Sequence, residues 1–343
     1  MFKNCPCVII AAKAKDCIMP VETKSLDTAI ENAKCRFCLR PLLRKEETEY
    51  HFACMAEMPP PEPDAILMAK VNPRLENSGR HLYLNGNFEA TQAEIHKVLK
   101  VFLSLNPEIE EKVDWVDISS CRNLTALPDT LSKFKKLRVL DITNSGVQSL
   151  PEWVGNMTAL ELLYMANNRL TSLPESMRNL SKLEHLNISF NNFDQLPAWI
   201  AGMNIKELDL AKSNLTSVPE WINNMTGLCE LRMHSNELST LPDWIVNLEN
   251  LTSFDISGNN FESVPELISH MTNLEKLDLS QNKLTSLPEW IGKLTNLRQL
   301  YAERNSITSL PESLGNLPKL TCLRISNNML ASLPPFAFRF LRT

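Results

Sequence analysis

The stretch 274-LEKLDLSQNKLTSLPEW-290 contains the pattern that decides the fold of this chain. Its residues Leu277 and Leu279 alternate with polar residues, which is typical of a short β-strand with one buried side. Asn282 and Pro288 follow the strand at fixed distances. The same pattern starts at Leu137, Leu160, Leu183, Ile205, Leu228, Leu251, Leu274, Leu297 and Leu320. These starts are 23 residues apart, except for one interval of 22, and a slightly longer unit begins near Val113.

This repeat resembles the leucine-rich repeat (LRR) family in its form of roughly 23 residues. The resemblance covers residues 113–343, which we interpret as an array of ten repeats. It implies an α/β solenoid with a parallel β-sheet on the concave face and helical, 3-10 or extended segments on the convex face. One unit cannot bury its own leucines, so neighbouring units must stack and bury them against each other.

Two residue types that recur in phase with the repeat could belong to a ligand site or to the framework. The asparagines could form a binding ladder, but we favour hydrogen bonds from their amides to turn backbone groups that lack partners. They are Asn168, Asn191, Asn236, Asn259, Asn282, Asn305 and Asn328. The tryptophans could form an aromatic stripe, but we favour packing on the convex side. They are Trp153, Trp199, Trp221, Trp244 and Trp290.

The N-terminal 58 residues contain six of the nine cysteines. Cys35 and Cys38 form a C-x2-C pair, and His51 and Cys54 form an H-x2-C pair twelve residues later. Together they supply a Cys3His set that suits a structural, tetrahedral zinc ion. The segment resembles short treble-clef-like zinc knuckles. The alternative is four reduced side chains whose spacing is accidental.

Composition and local patterns divide the chain into four parts. We predict a zinc-knuckle module at 1–58, a Pro-rich linker at 59–64, a helical N-terminal cap at 65–112 and the LRR array at 113–343. Within the cap, apolar residues follow helical spacing between 92 and 105. Thr91 is the expected N-cap, with Glu94 three residues on.

The variable positions of the strands predict where the chain binds. They point away from the leucine core, and several carry aromatic and arginine side chains, which often anchor protein interfaces. The alternative is a solvated sheet face without a partner. The predicted partner-binding residues are Tyr164, His185, Phe190, Asp209, Arg232, His234, Asp255, Tyr301, Arg304 and Arg324. Part of this face is acidic, which favours a partner with a basic patch, and the aspartates concerned are Asp117, Asp141, Asp209, Asp255 and Asp278.

Several classes of function are disfavoured by what the sequence contains. The formal net charge is −5, which argues against coating nucleic acid or anionic membrane. Phosphate-binding glycine motifs, a membrane-length apolar run and a nucleophile–base set are all absent from the sequence. Cys121, Cys229 and Cys322 are far apart, which favours a reducing compartment. We therefore expect a monomeric, cytoplasmic protein that is not an enzyme.

Three functional hypotheses fit these observations. The first is a protein-interaction module that binds its partner through the concave LRR face. The phrase 287-LPEWIGKLTN-296 is similar to intracellular bacterial LRR proteins, including effectors delivered into a host cytosol, and also to eukaryotic Ras-associated LRR proteins. The second is a substrate-binding component of a ubiquitin-ligase system that uses the zinc module. The third is a fragment of an extracellular pattern-recognition receptor.

Overall fold

The computed structural model describes residues 73–76, 79–84, 90–193 and 195–340. The predicted zinc-knuckle module at 1–58 and the linker at 59–64 lie outside the described residues. The same holds for the predicted zinc ligands Cys35, Cys38, His51 and Cys54.

Within the described residues, twelve three-residue strands form one sheet in which strand order follows chain order. β1 pairs antiparallel with β2, and every later neighbouring pair is parallel and in register. The strands are β1 (Arg74–Glu76), β2 (His81–Tyr83), β3 (Trp115–Asp117), β4 (Val139–Asp141), β5 (Leu162–Tyr164), β6 (His185–Asn187), β7 (Glu207–Asp209), β8 (Glu230–Arg232), β9 (Ser253–Asp255), β10 (Lys276–Asp278), β11 (Gln299–Tyr301) and β12 (Cys322–Arg324). The parallel repeat sheet predicted from the leucine spacing is confirmed.

The return path of each unit is a 3-10 helix, where the sequence had left helical, 3-10 and extended segments open. Nearly all of these helices begin directly after the recurring proline, as when the amide of Val154 donates to the carbonyl of Pro151 at 3.1 Å. The fixed φ of proline suits this helix start, and proline has no amide that would need a partner there. The described 3-10 segments are Asp129–Lys133, Glu152–Asn156, Glu175–Asn179, Ala198–Gly202, Glu220–Asn224, Asp243–Asn247, Glu266–His270, Glu289–Lys293, Glu312–Asn316 and Pro335–Phe340.

Two α-helices, α1 (Gln92–Leu105) and α2 (Ile109–Lys112), precede the first repeat strand. The predicted cap of α1 is present, since the Thr91 hydroxyl accepts from the Glu94 amide and the Glu94 carboxylate accepts from the Thr91 amide. The apolar side of α1, including Leu99 and Phe102, belongs to the same continuous core as the repeat leucines. The first repeat therefore packs against α1 and β2.

The recurring asparagines bind turn backbone, which confirms the structural interpretation. The Asn168 side-chain oxygen accepts from the Val147 amide at 2.9 Å, and its amide donates to the Ile142 carbonyl at 2.8 Å. Ser145, which replaces asparagine in its unit, donates from its hydroxyl to the Ile118 carbonyl at 2.7 Å. Each asparagine thus ties its own turn to the preceding repeat, and the ladder is part of the framework.

The five recurring tryptophans lie in the 3-10 segments and pack, partly buried, against the core. Trp153 also donates from its indole nitrogen to the Asp129 carboxylate at 2.9 Å, which links two neighbouring 3-10 segments. This confirms that the tryptophans are packing residues on the side of the stack away from the strands.

Candidate protein-binding surface

The first and third side chains of each repeat strand point away from the core and form what we call the open sheet face. In β5, for example, Leu163 is fully buried, whereas Leu162 and Tyr164 on either side of it are partly exposed. The alternation follows from the two-residue period of a strand. Because parallel strands pair in register, equivalent positions of successive repeats form straight rows across this face.

All ten predicted partner-binding residues lie on or directly beside the open sheet face. Tyr164, Asp209, Arg232, Asp255, Tyr301 and Arg324 occupy the third strand position, and His185 occupies the first. Phe190, His234 and Arg304 lie in the turns that follow β6, β8 and β11. The register places Asp209, Arg232 and Asp255 side by side, and it pairs Tyr301 with Arg324.

A first cluster forms where β6, β7 and β8 end. The Lys212 ammonium lies 5.3 Å from the centre of the Phe190 ring, and the His234 ring meets that ring edge-on at 6.1 Å. Phe190 has a φ of 54° and is 37% exposed. The equivalent turn position has a positive φ in every repeat from Ser120 to Asn327, so this conformation belongs to the repeat framework. The sequence analysis named Phe190 and His234 but left Lys212 out of the predicted site.

Ion pairs cross the same part of the face. The His185 ring lies 2.8 Å from the Glu207 carboxylate on the next strand, and Arg232 lies 2.7 Å from Glu230 on its own strand. All four side chains are partly exposed. The charges are therefore mixed, and they are held in place before any partner arrives.

A second cluster surrounds Tyr301 near the C-terminal end of the sheet. Its ring lies between two cations, with the Arg324 guanidinium at 5.5 Å and the Lys276 ammonium at 6.0 Å. Its hydroxyl donates to Gln299 at 3.1 Å. Burial raises the pKa of Tyr301 above its usual value, with the neighbouring Cys322 thiol as a further cause. Arg304 lies exposed in the following turn with a φ of 54°.

The strand-end aspartates have a structural role that the sequence analysis missed. The Asp209 carboxylate accepts from the Ala211 amide at 3.0 Å, and the Asp255 carboxylate accepts from the Ser257 amide at 2.9 Å. The same bond recurs at Asp117, Asp141, Asn187 and Asp278. The signal was in the sequence, since most of these residues stand two positions before a serine or threonine, the spacing of an Asx turn. Burial raises the pKa of Asp141, Asp209 and Asp278.

The N-terminal part of the face lies outside the predicted partner-binding residues, which begin only at Tyr164. β3, β4 and β5 present Trp115, Val139 and Leu162 at the first position, where later strands carry His185, Glu207 and Lys276. Trp115 stacks against His81 with ring centres 5.1 Å apart. This part of the face is therefore more apolar than the rest.

The described residues contain no group of three or more histidine, cysteine or acidic side chains that could hold a metal ion. Cys121, Cys229 and Cys322 form no disulfide among the described residues. None of the helices in the described ranges is long and apolar enough to span a bilayer.

Family profiles match most of the repeat array. The profile described as leucine rich repeat matches residues 135–193, 203–261 and 264–307, and a second, described as two copies of leucine rich repeats, matches 295–337. No curated protein matches the chain.

Solved LRR structures share the fold. A leucine-rich repeat protein of Leptospira interrogans is 25% identical with a TM-score of 0.52, and the match covers 72% of each chain. An internalin of Listeria monocytogenes is 17% identical with a TM-score of 0.54, over 80% of this chain and 86% of the other. A plant peptide hormone receptor, solved in complex with RGF2, is 23% identical with a TM-score of 0.53, over 72% of this chain and 39% of the receptor. The family profiles, together with the repeat geometry and the shared fold, show that the chain belongs to the leucine-rich repeat proteins.

Proposed function

We propose that this chain is a non-enzymatic interaction module that holds a protein partner against its open sheet face, the concave face of an LRR solenoid. LRR proteins generally mediate protein–protein interaction. The proposal also specifies the binding face and its residues. The support for this is the type of side chain found at the third position of the repeat strands.

The proposal rests mainly on four strands whose third residue is not the aspartate or asparagine found at the third position of the other repeat strands. Where the residue is aspartate or asparagine, its side chain accepts a turn amide two positions on. At β5, β8, β11 and β12 that position holds Tyr164, Arg232, Tyr301 and Arg324. Neither tyrosine nor arginine can supply this acceptor, so each replacement gives up a bond of about 1 kcal/mol.

The side chains that replace the aspartates are those that most often dominate protein interfaces. Tyrosine and arginine are enriched among the few residues that carry most of the binding free energy. Here they are partly or fully exposed, and the Tyr301 ring is fixed between two cations. A rigid surface of this kind loses little conformational entropy when a partner docks.

An affinity pull-down with the full chain tests the proposal. A triple variant, Tyr164→Ala, Arg232→Ala and Tyr301→Ala, should lose the partners that the wild type captures. The matched control replaces three exposed residues that begin 3-10 segments, Glu220→Ala, Glu266→Ala and Glu312→Ala, and it should capture them as well as the wild type. Equal capture by all three proteins would contradict the proposal.

The plant peptide hormone receptor solved with RGF2 supports the general idea, because it shares this fold. Two more specific hypotheses stay predictions from the sequence: that the protein is delivered into a host cell, and that it is the substrate-binding component of a ubiquitin-ligase system.

We also propose, from the sequence alone, that Cys35, Cys38, His51 and Cys54 bind one structural zinc ion. The support is the C-x2-C and H-x2-C spacing, which supplies four ligands of the types that zinc prefers. Metal analysis of the full chain should find about one zinc per molecule. Cys35→Ser or Cys54→Ser should reduce that content, whereas Cys229→Ser should not. Unchanged zinc in the first two variants would contradict this ligand set.

A further inference from the structure

Six outward side chains of β3, β4 and β5 form what we call the aromatic–acidic patch: Trp115, Asp117, Val139, Asp141, Leu162 and Tyr164. Register pairs Trp115 with Val139 and Leu162 in one row, and Asp117 with Asp141 and Tyr164 in the next. Adjacent positions in a row are about 4.8 Å apart, so the patch spans about 10 Å. Asp117 and Val139 are buried in its floor, and the other four side chains are partly exposed.

The aromatic rings of the open sheet face differ in whether this chain supplies them with a cation. Arg74 lies 5.9 Å from the Tyr83 ring, Lys212 lies over Phe190, and two cations flank Tyr301. Among the residues that the structure describes, no lysine or arginine lies over Trp115 or Tyr164. Tyr164 pairs in register with Asp141, and Trp115 stands on the same strand as Asp117.

Several carboxylates act on the patch, and three arginines near it are engaged in ion pairs. Burial and then the carboxylates of Glu207 and Asp141 raise the pKa of Tyr164, whereas Arg232, which is ion-paired with Glu230, lowers it. Arg138 donates to the Glu161 carboxylate at 2.9 and 2.6 Å, and Arg80 is ion-paired with Asp114. Within the described ranges, no lysine or arginine has an ion pair with Asp141 or lies over the rings of the patch.

Apolar side chains lie beside the rings of the patch. Val139 and Leu162 are apolar at positions where β6, β7 and β10 carry His185, Glu207 and Lys276. A cation flanked by apolar carbons would match both the carboxylates and the apolar side chains of this patch.

We propose that the aromatic–acidic patch binds a lysine or arginine side chain of the protein partner, flanked by apolar residues. The cation lies over the rings of Trp115 or Tyr164 and pairs with the Asp141 carboxylate, while the flanking side chains cover Val139 and Leu162. Cation–π contact and ion pairing act together here because the site is partly shielded from water. This inference rests on the proposed function and specifies the chemistry of the partner.

The probe is a fluorescent peptide of sequence Leu-Arg-Leu-Arg-Leu, compared with Leu-Gln-Leu-Gln-Leu, each titrated into the full chain by anisotropy. The arginine peptide should bind at least about fivefold more tightly than the glutamine peptide. Asp141→Asn should weaken the arginine peptide by a similar factor. The amide oxygen of asparagine still accepts the turn bond, as Asn187 does at 3.1 Å.

Asp278→Asn is the matched control. Asp278 also ends a strand, accepts its turn amide at 2.9 Å and has a pKa raised by burial. The substitution removes the same charge as Asp141→Asn. Asp278, however, lies beside Tyr301, whose ring already has two cations next to it. Asp278→Asn should change the affinity of the arginine peptide by less than about twofold. Equal weakening by both variants would mean general attraction to an acidic chain, and it would overturn the inference.

A second readout locates the peptide. The chain has six tryptophans, and the Trp115 indole signal in a nitrogen–proton spectrum can be assigned with Trp115→Phe. The arginine peptide should shift that signal and leave the five tryptophans of the 3-10 side unmoved. Binding without a Trp115 shift, equal binding of both peptides, or a dimer of this chain that Asp141→Asn dissociates would each overturn the inference.

The two proposals fail in different ways. Should the triple variant lose its partners while Asp141→Asn leaves peptide binding unchanged, the open sheet face binds but the patch does not select a cation. Should the triple variant capture as well as the wild type, the proposed function itself is wrong.

Discussion

At the residue scale, the Asp209 carboxylate is held in a place where its charge is poorly hydrated. It is 8% exposed, and burial raises its pKa, although His234 and Arg232 oppose the shift. An acid whose pKa is higher in the folded than in the unfolded chain binds more protons when folded, so it adds stability as the pH falls. At neutral pH, with both states ionised, the charge is destabilising.

Asp209→Asn should therefore increase the free energy of unfolding at pH 7, because it removes the charge and keeps the bond to the Ala211 amide. The gain over wild type should shrink as the pH falls through the raised pKa towards the ordinary value of 3.8. Asp209→Ala should be about 1 kcal/mol less stable than the asparagine variant, since it loses the bond. Urea unfolding at several pH values measures both differences, and a gain that grows on acidification would contradict this reading.

Asn236 tests the framework role of the asparagine ladder. Its oxygen accepts from the amides of Ser213 and Leu215, and its amide donates to the carbonyls of Leu210 and Met233, all at 2.9–3.0 Å. Asn236→Ala leaves these buried groups without partners and should lower the free energy of unfolding by roughly 2–4 kcal/mol. Asn192→Ala, at an exposed turn position without a positive φ, is the comparison, and an equal loss there would argue against the ladder.

The roles of some residues could be predicted from their type and their position in the repeat, and the roles of others could not. The asparagines were interpretable because they recur in phase and can serve unpaired turn groups. The aspartates were read as an acidic surface because position alone does not reveal that an outward side chain folds back onto its own turn. Lys212 was left out because its contact with Phe190 depends on where the two side chains extend from neighbouring turns, which no spacing shows.

At the element scale, the close approach of successive 3-10 segments depends on particular glycines. A Cβ atom added at Gly155 would collide with the backbone carbonyl of Ser176 in the next segment, whereas one added at Gly202 would meet nothing within 4 Å. Neither residue needs a positive φ, so the difference between them is the space available.

Gly155→Ala should lower the free energy of unfolding by about 2–3 kcal/mol, because backbone must move apart to make room. Gly202→Ala should be neutral or slightly stabilising, since alanine restricts the unfolded chain. Thermal and urea unfolding of the two variants make the comparison, and equal effects would contradict the packing seen between these segments.

Elements differ in how well their sequence predicts them. The repeat strands follow from leucine alternation, and α1 follows from its apolar spacing and the Thr91–Glu94 cap. β1 was not predicted, because the three residues Arg74–Glu76 are too few to show a period and acquire their structure by pairing with β2. The return segments could not be assigned from the period alone, since it leaves room for several conformations, and the proline with its short following segment selects the 3-10 form.

At the scale of the whole molecule, the described chain has one continuous core from α1 to the last repeat. Each unit contacts mainly its neighbours, so stability is shared along the stack while the open sheet face varies freely. This separation is why the sequence predicts the fold well and the partner poorly. A change at Tyr164 or Arg232 does not alter the leucines behind it.

The most direct test of the central claim is site-specific photo-crosslinking to a captured partner. Benzoyl-phenylalanine is placed at Tyr164 or Tyr301 on the open sheet face, and at Glu220 or Glu312 on the 3-10 side. The proposal predicts a covalent product with the partner from the first two positions and none from the other two. A product from Glu220 or Glu312, with none from Tyr164 or Tyr301, would show that the partner binds the opposite side of the stack.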